Sequence, residues 1–397
     1  MHLSQKQLFL QHLAQTTDFP LSIEIDKAEG LYLYTPEGKR YLDLISGISV
    51  SNVGHRHPKV VAAIKEQVDK YLHLMVYGEY IQSPQVQLAH LLVKHLGGGL
   101  DSVYFVNSGS EATEGALKLA KRYTGRPEIL SMNNAYHGST SGALSVIGDE
   151  EFKNAFRPLS PGIGYMQFND LADLEKINKN TAAVIVEPVQ GEAGYIPPSP
   201  GYLEALRKKC TEEGALLIFD EVQCGFGRTG SLFAHHQLNA VPDIITLAKG
   251  MGGGMPIGAF VSSKKLMDSF KNNPILGHIS TFGGHPVSCA ASLATLKLIV
   301  EEDLISSVKE KHLLFKELLQ HKAIKEVRGM GLMLAVQLDT FENIEKVIQI
   351  CLDRGLIIDW FLFCDNALRI SPPLTIGERE IRESCEIIMD AIREVYP

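Results

Sequence analysis

Two apolar runs, each closed by a charged residue, constrain the fold of this chain more than any other feature. Ala215-Leu-Leu-Ile-Phe219 stops at Asp220, and Ile244-Ile-Thr-Leu-Ala248 stops at Lys249. Near-continuous apolar runs of this length read as strands buried on both faces, the mark of a parallel sheet. In open α/β sheets the carboxyl ends of such strands face the ligand crevice. The crevice edge therefore receives an acid and an amine.

Around these runs, strands and helices alternate. Helices are expected over 60–71, 84–96, 111–123 and 202–213, and strands over 103–106, 183–186 and 258–261. That rhythm indicates an α/β fold with a large, mainly parallel sheet covered on both faces. A helix over 286–300 leads into a smaller α+β unit, in which 327–338 and 356–358 alternate with helices over 344–353 and 378–395. Residues 1–50 read as an arm with two short strands joined at Pro36-Glu-Gly38, expected to join the smaller unit. The expected division is 1–50 arm, 51–290 large domain and 291–397 small domain.

Length and charge narrow the function. With 397 residues, 45% hydrophobic and 21% charged, the composition is that of a globular enzyme. A formal charge of −8, with no basic tract, disfavours nucleic acid and anionic membranes as partners. Six scattered cysteines without a C-x-x-C pair suit a reducing compartment. The first residues lack the pattern of a signal peptide, and no apolar run reaches membrane-spanning length. A cytoplasmic location is expected.

The acid and the amine suit one chemistry in particular. A pyridoxal phosphate enzyme needs a lysine for the Schiff base and a carboxylate that keeps the pyridine nitrogen protonated. The glycines after Lys249 give a slim backbone beside a flat ring. A desolvated lysine there loses its charge readily and becomes nucleophilic. Taken singly, Lys249 also reads as a surface residue, and Asp220 as a helix cap or half of an ion pair. Gln223 can donate to a phenolic oxygen of a bound ring.

Other segments reach the same edge. Ser108, Gly109 and Ser110 lie between a strand and a helix, where free amides seat a phosphate; an ordinary serine cap explains them as well. Tyr136, beside His137 and Gly138, is either a stacking ring or a loop tyrosine. Glu187 and Glu192 follow the strand 183–186. Arg369 can fork onto a substrate carboxylate, with Glu192 neutralising it in the empty site; a structural salt bridge is the alternative for both. Gly225-Phe-Gly227-Arg-Thr-Gly230 matches a dinucleotide fingerprint, but four residues separate it from the strand end. The histidine pairs His55/His57 and His235/His236 lack companion ligands, so no metal site is expected.

Together these segments resemble the class III, ornithine-type aminotransferases of fold type I. The resemblance runs from Gly38-Lys-Arg-Tyr-Leu-Asp43 through Glu187-Pro-Val-Gln-Gly-Glu192 and Asp220-Glu-Val-Gln223 to Leu368-Arg369-Ile. It implies that Lys249 binds pyridoxal 5'-phosphate, Asp220 pairs with the pyridine nitrogen and Gln223 reaches the phenolic oxygen. Val222 and Tyr136 would enclose the ring, and Ser108, Gly109 and Ser110 would hold the phosphate. Thr281 would cross to the phosphate of a second copy, making a homodimer with shared sites. Ser280, Glu192 and Arg369 would meet substrate. The implied reaction moves an amine from an acetylornithine- or ornithine-like donor to an oxo acid, 2-oxoglutarate being the expected acceptor. A 4-aminobutyrate or other ω-amino acid aminotransferase is the second reading, and an aminomutase or decarboxylase the third. In one place the chain departs from the family: Ser139 stands where an arginine usually binds the α-carboxylate.

Overall fold

The computed structural model describes residues 3–397. Near the N-terminus, β1 (Lys27–Glu29), β2 (Tyr32–Tyr34) and β3 (Arg40–Asp43) form an antiparallel meander. A seven-stranded sheet follows: β4 (Ser102–Val106), β5 (Glu128–Met132), β6 (Ile163–Met166), β7 (Thr181–Val186), β8 (Leu216–Asp220), β9 (Ile244–Leu247) and β10 (Gly258–Ser262). Their spatial order is β4-β10-β9-β8-β7-β5-β6. The C-terminal part adds β11 (Glu326–Met330), β12 (Met333–Gln337), β13 (Leu356–Ile357), β14 (Asp359–Phe361) and β15 (Cys364–Ile370). Strand β13 pairs in parallel with β3, so the N-terminal meander shares a sheet with the C-terminal part. Strands β11, β12, β15 and β14 make the third sheet.

The two apolar runs become neighbours. Strands β8 and β9 pair in parallel with Asp220 opposite Thr246, so Asp220 and Lys249 leave the sheet at one edge. Alternate side chains feed two cores: Leu217 and Phe219 enter one, Leu216 and Ile218 the other. The helix Gly109–Thr124 lays Ala112, Ala116 and Ala120 on one face of the sheet. The helix Tyr202–Glu213 lays Leu203, Leu206 and Cys210 on the opposite face. The burial of these strands on both sides is what their apolar sequence required.

The sheet is mainly parallel as expected, and three details go beyond or differ from the sequence reading. Strand β10 runs antiparallel to both its neighbours. Its link from Lys249 is a single helical turn, Lys249–Gly252, and a few glycine-rich residues. That is too short for a crossover helix, so the chain must turn straight back. Second, 327–338 is not one element but a hairpin of β11 and β12, turning at Gly331 with φ +58°. A Cβ at Gly331 would stand 2.5 Å from the Arg228 carbonyl, which leaves no room for a side chain. Third, β5, β6 and the helix Val308–Leu318 add elements that the apolar pattern did not suggest. Among the described residues, no helix is long and apolar enough to cross a membrane.

Candidate active site

A cavity of about 460 Å³ opens at the edge where Asp220 and Lys249 emerge. Ser108, Gly109, Ser110, Tyr136, Glu192, Asp220, Val222, Gln223 and Lys249 all line it. Arg369, Ser280 and Thr281 do not. Arg369 reaches the cavity through Glu192. Ser280 reaches it through Asn107, whose Nδ2 donates to Ser280 Oγ at 3.1 Å. Thr281 is exposed, with His73 Nε2 2.9 Å from its carbonyl.

Asp220 is buried and already partnered. Its Oδ2 lies 2.7 Å from His137 Nδ1, and its Oδ1 accepts from the Val222 amide at 3.0 Å. A carboxylate has further lone pairs, so a cationic N–H in the cavity can still be met. Lys249 itself sits at φ 45°, in the left-handed region that costs a side-chain-bearing residue strain. Burial pushes its amine below the ordinary lysine range, and Glu192 opposes that fall. The result is an amine that sheds its proton more readily than a surface lysine, as a nucleophile or base must.

The opposite wall is the start of the helix Gly109–Thr124. Ser108 caps it, its Oγ accepting from the Glu111 amide at 3.2 Å. The Gly109 and Ser110 amides are left for an anion, and the helix dipole favours one. Two glycines keep this seat open. A Cβ on Gly109 would press on Val222 at 3.0 Å, and one on Gly138, at φ +121°, would meet Ser110 Oγ at 2.1 Å. The loop carrying Tyr136 can therefore pass directly over the helix start.

Whether these residues fit pyridoxal phosphate is testable on one orphan. Gln223 Nε2 is buried and has no hydrogen-bond partner. A buried donor left unpaired is costly, and in a cavity wall it marks the place of a missing acceptor. The phenolic oxygen of the cofactor is such an acceptor. Asp220 would meet the pyridine nitrogen, Val222 and Tyr136 the ring, and the helix start the phosphate. The donor set fits the group.

Substrate-side charges are also arranged. Arg369 Nη1 and Nη2 donate to Glu192 Oε1 and Oε2 at 3.0 and 2.6 Å, a bidentate pair with both residues buried. Burial alone would raise the Glu192 carboxyl, but Arg369 outweighs it and holds it below the usual range. Asp359 Oδ1 lies 3.2 Å from Arg369 Nε, and the Phe361 ring centroid is 4.6 Å from the guanidinium. Glu192 can leave this pair only if another carboxylate replaces it.

Sequence reasoning passed over two buried groups. His137 appeared only as the neighbour of Tyr136, yet it holds Asp220. Glu187 was given no task. Its Oε2 accepts from the Tyr136 amide at 3.2 Å and its Oε1 from the Gly191 amide at 2.9 Å. It thus ties together two loops that border the cavity. Burial, first of all, pushes its carboxyl up to about 7, with the Asp220 charge adding to the rise and His137 opposing it. Adjacency to Tyr136 was the only sequence signal for His137, whereas Glu187 was already placed at the edge by the strand 183–186 that it follows.

Comparison with known proteins agrees with this geometry. The family model described as aminotransferase class-III matches residues 13–392. Acetylornithine aminotransferase from Clostridium acetobutylicum is 40% identical over 385 residues, covering 94% of this chain and 97% of that one. The Bacillus subtilis acetylornithine aminotransferase is 38% identical, covering 93% and 95%. Among solved structures, ornithine aminotransferase from Toxoplasma gondii ME49 superposes with a TM-score of 0.91 at 29% identity, covering 99% and 96%. An (S)-enantioselective omega-transaminase from Thermomicrobium roseum gives 0.91 at 30% identity, covering 98% of each chain. With a family model spanning most of its length and a cavity that fits the cofactor of that family, this chain belongs to the class-III, pyridoxal phosphate-dependent aminotransferases.

Proposed function

We propose that this enzyme transfers the side-chain amine of an acetylornithine- or ornithine-like donor to 2-oxoglutarate, in the cytoplasm, as a homodimer with shared sites. The observation that carries the reading is the placing of Lys249, Asp220 and the unpaired Gln223 amide around one cavity at the mouth of a helix. Full-length similarity to acetylornithine aminotransferases supports the donor class.

Bound in this cavity, pyridoxal phosphate would supply a carbonyl carbon for amine exchange and a cationic ring that draws electrons from the donor carbon. The chain's own residues do the rest. Lys249 Nζ takes the proton from the donor carbon and returns it one step later, base and then acid. Asp220, held by His137 and the Val222 amide, keeps a negative charge facing the ring nitrogen. Arg369 takes the carboxylate of the oxo acid once Glu192 swings away. Ser139 leaves the donor side without the arginine usual in the family. Its Oγ instead lies 3.1 Å from the Tyr136 hydroxyl. For this reason ω-amino acids stay in the donor screen.

Two features support the dimer and the compartment. Thr281 sits beside exposed Ile279 and Phe282, and the His73 ring, between exposed Leu72 and Leu74, packs at a tilt on Phe282 with centroids 4.9 Å apart. A contiguous apolar surface of this kind is the mark of an interface. All six cysteines are unpaired, as a reducing compartment requires.

The deciding test is a half-reaction screen. Holoenzyme is mixed with acetylornithine, ornithine, 4-aminobutyrate, lysine or β-alanine, and the yellow cofactor band is followed. Rapid loss of the band with acetylornithine or ornithine, and its return on adding 2-oxoglutarate, is expected. A band untouched by all five donors would defeat the reading.

A further inference from the structure

A row of aromatic rings leads outward from the cavity. Tyr136 lines the cavity, and its ring centroid is 6.5 Å from that of Phe363. Phe152 then packs edge-on against Phe363 at 5.1 Å. Exposure grows along the row: Phe363 is half-buried and Phe152 is exposed. The row therefore spans the distance from Lys249's cavity to solvent.

The turn carrying Phe363 is pinned to the site itself. Phe363 and Leu362 join β14 to β15. The Phe363 amide donates to the Glu192 carbonyl at 3.1 Å, and the Leu362 amide to Glu192 Oε2 at 3.2 Å. Arg369 Nη2 donates to the Trp360 carbonyl at 2.9 Å on the same hairpin. The ring is thus preorganised by the charge pair that borders the cavity, rather than free to drift on a loop.

Consider a donor whose amine reaches Lys249 while its far end trails outward. Along this row that end meets aromatic faces. The nearby carboxylates Glu187, Glu192 and Asp220 are already engaged with amides, Arg369 and His137. A free ammonium there would lose its hydration, and none of these three carboxylates is left unpartnered to meet it. A flat acyl amide carries no charge to desolvate and can lie on an aromatic face.

We propose that Phe363 is a specificity-determining residue, packing the acylamino group at the far end of the amine donor at the outer wall of the cavity. The proposal rests on the donor reading above and assigns its selectivity to one ring. Discrimination between a capped donor and a free diamine should then depend on Phe363.

The test uses the intact holoenzyme and two readouts. The first is the single-turnover rate of cofactor-band loss with N-acetylornithine and with ornithine. Wild type should favour the capped donor, and Phe363→Ala should shrink that preference roughly tenfold, with Phe363→Tyr restoring it. The second does not need turnover. It is the binding of an amine-free probe, N-acetylnorvaline, to the holoenzyme, followed by titration calorimetry. The probe should bind saturably to wild type and roughly tenfold more weakly to Phe363→Ala. An unchanged donor ratio together with unchanged probe affinity would overturn the proposal, as would an equal loss for both donors. Probe binding that depends on Phe363, with neither donor bleaching the cofactor, would support the proposal and defeat the transamination reading instead.

Discussion

The floor of the cavity and its rim follow opposite rules. On the floor, the chain partners its own carboxylates. Asp220 has His137 and an amide, Glu187 has two amides, and Glu192 has Arg369. At the rim, Thr281 is exposed among Ile279 and Phe282, and Ile275 is 73% exposed nearby in sequence. The contrast teaches where one chain suffices. Buried charges must be paired before the chain can fold. Surface apolar groups can wait for a second copy.

The sharpest way to break this contrast is at the floor. Lys249→Ala should lower single-turnover transamination by more than roughly 10⁴-fold, since nucleophile and proton carrier vanish together. A near-normal rate would remove Lys249 from the chemistry. Asp220→Asn should cost roughly 10²–10³-fold in kcat, because a preorganised charge is exchanged for a neutral group. A loss below tenfold would mean that Asp220 faces His137 and nothing else.

At the rim the effects should be smaller and of another kind. Phe282→Asp should weaken the dimer at least tenfold, read by sedimentation across a concentration series. A dimer unmoved by that charge would place the interface elsewhere. Thr281→Ala should leave the dimer intact and weaken cofactor retention roughly tenfold, as expected for one hydrogen bond to a charged group. Retention equal to wild type would cut Thr281 from the phosphate.

The last effect concerns pH. Glu187 titrates near 7 in the folded chain, chiefly through burial, against about 4.3 when exposed. The folded state therefore holds a proton that the unfolded chain releases. As far as this group goes, stability is highest below about pH 4.3, falls as pH rises, and the loss is complete above about 7. The full difference is at most about 4 kcal/mol. Glu187→Gln carries a permanent stand-in for the protonated form. Its Tm should fall less than that of wild type between pH 5 and pH 8. Parallel curves would show that Glu187 keeps its charge throughout.

Much of the floor was legible because strand ends and helix starts are written locally. Five consecutive apolar residues before Asp220 state both that a strand exists and where it stops. Gln223 and Val222 follow by short spacing. His137 was not legible in this way, because its partner Asp220 lies 83 positions away and only the folded sheet brings them together. Strand β5, Glu128-Ile-Leu-Ser-Met132, mixes polar residues into its run, and β6, Ile163-Gly-Tyr-Met166, is interrupted by a glycine. Both blur the pattern that revealed β8 and β9. The hairpin at Gly331 was readable in principle, since glycines at 329 and 331 punctuate the run. Its two strands were merged because apolar residues continue on both sides. Phe363 could not be found from sequence, since its meaning comes from Tyr136 and Glu192, both far off in the chain.

Strand β10 carries one more consequence. On one side it is laddered to β9, with Ala259 opposite Leu247; on the other to β4, with Gly258 opposite Val106. The first neighbour delivers Lys249 and the second delivers Ser108. The gap between amine and phosphate seat is therefore gauged by two strand spacings, about 10 Å in all. Backbone hydrogen bonds set that gauge, so no side-chain exchange can stretch it. A one-residue slip in either ladder would move one end of the gauge and turn its side chains to the wrong face. Evolution of new substrates in such a chain is free to work on the mouth while the length of the cofactor it accepts stays fixed by the sheet.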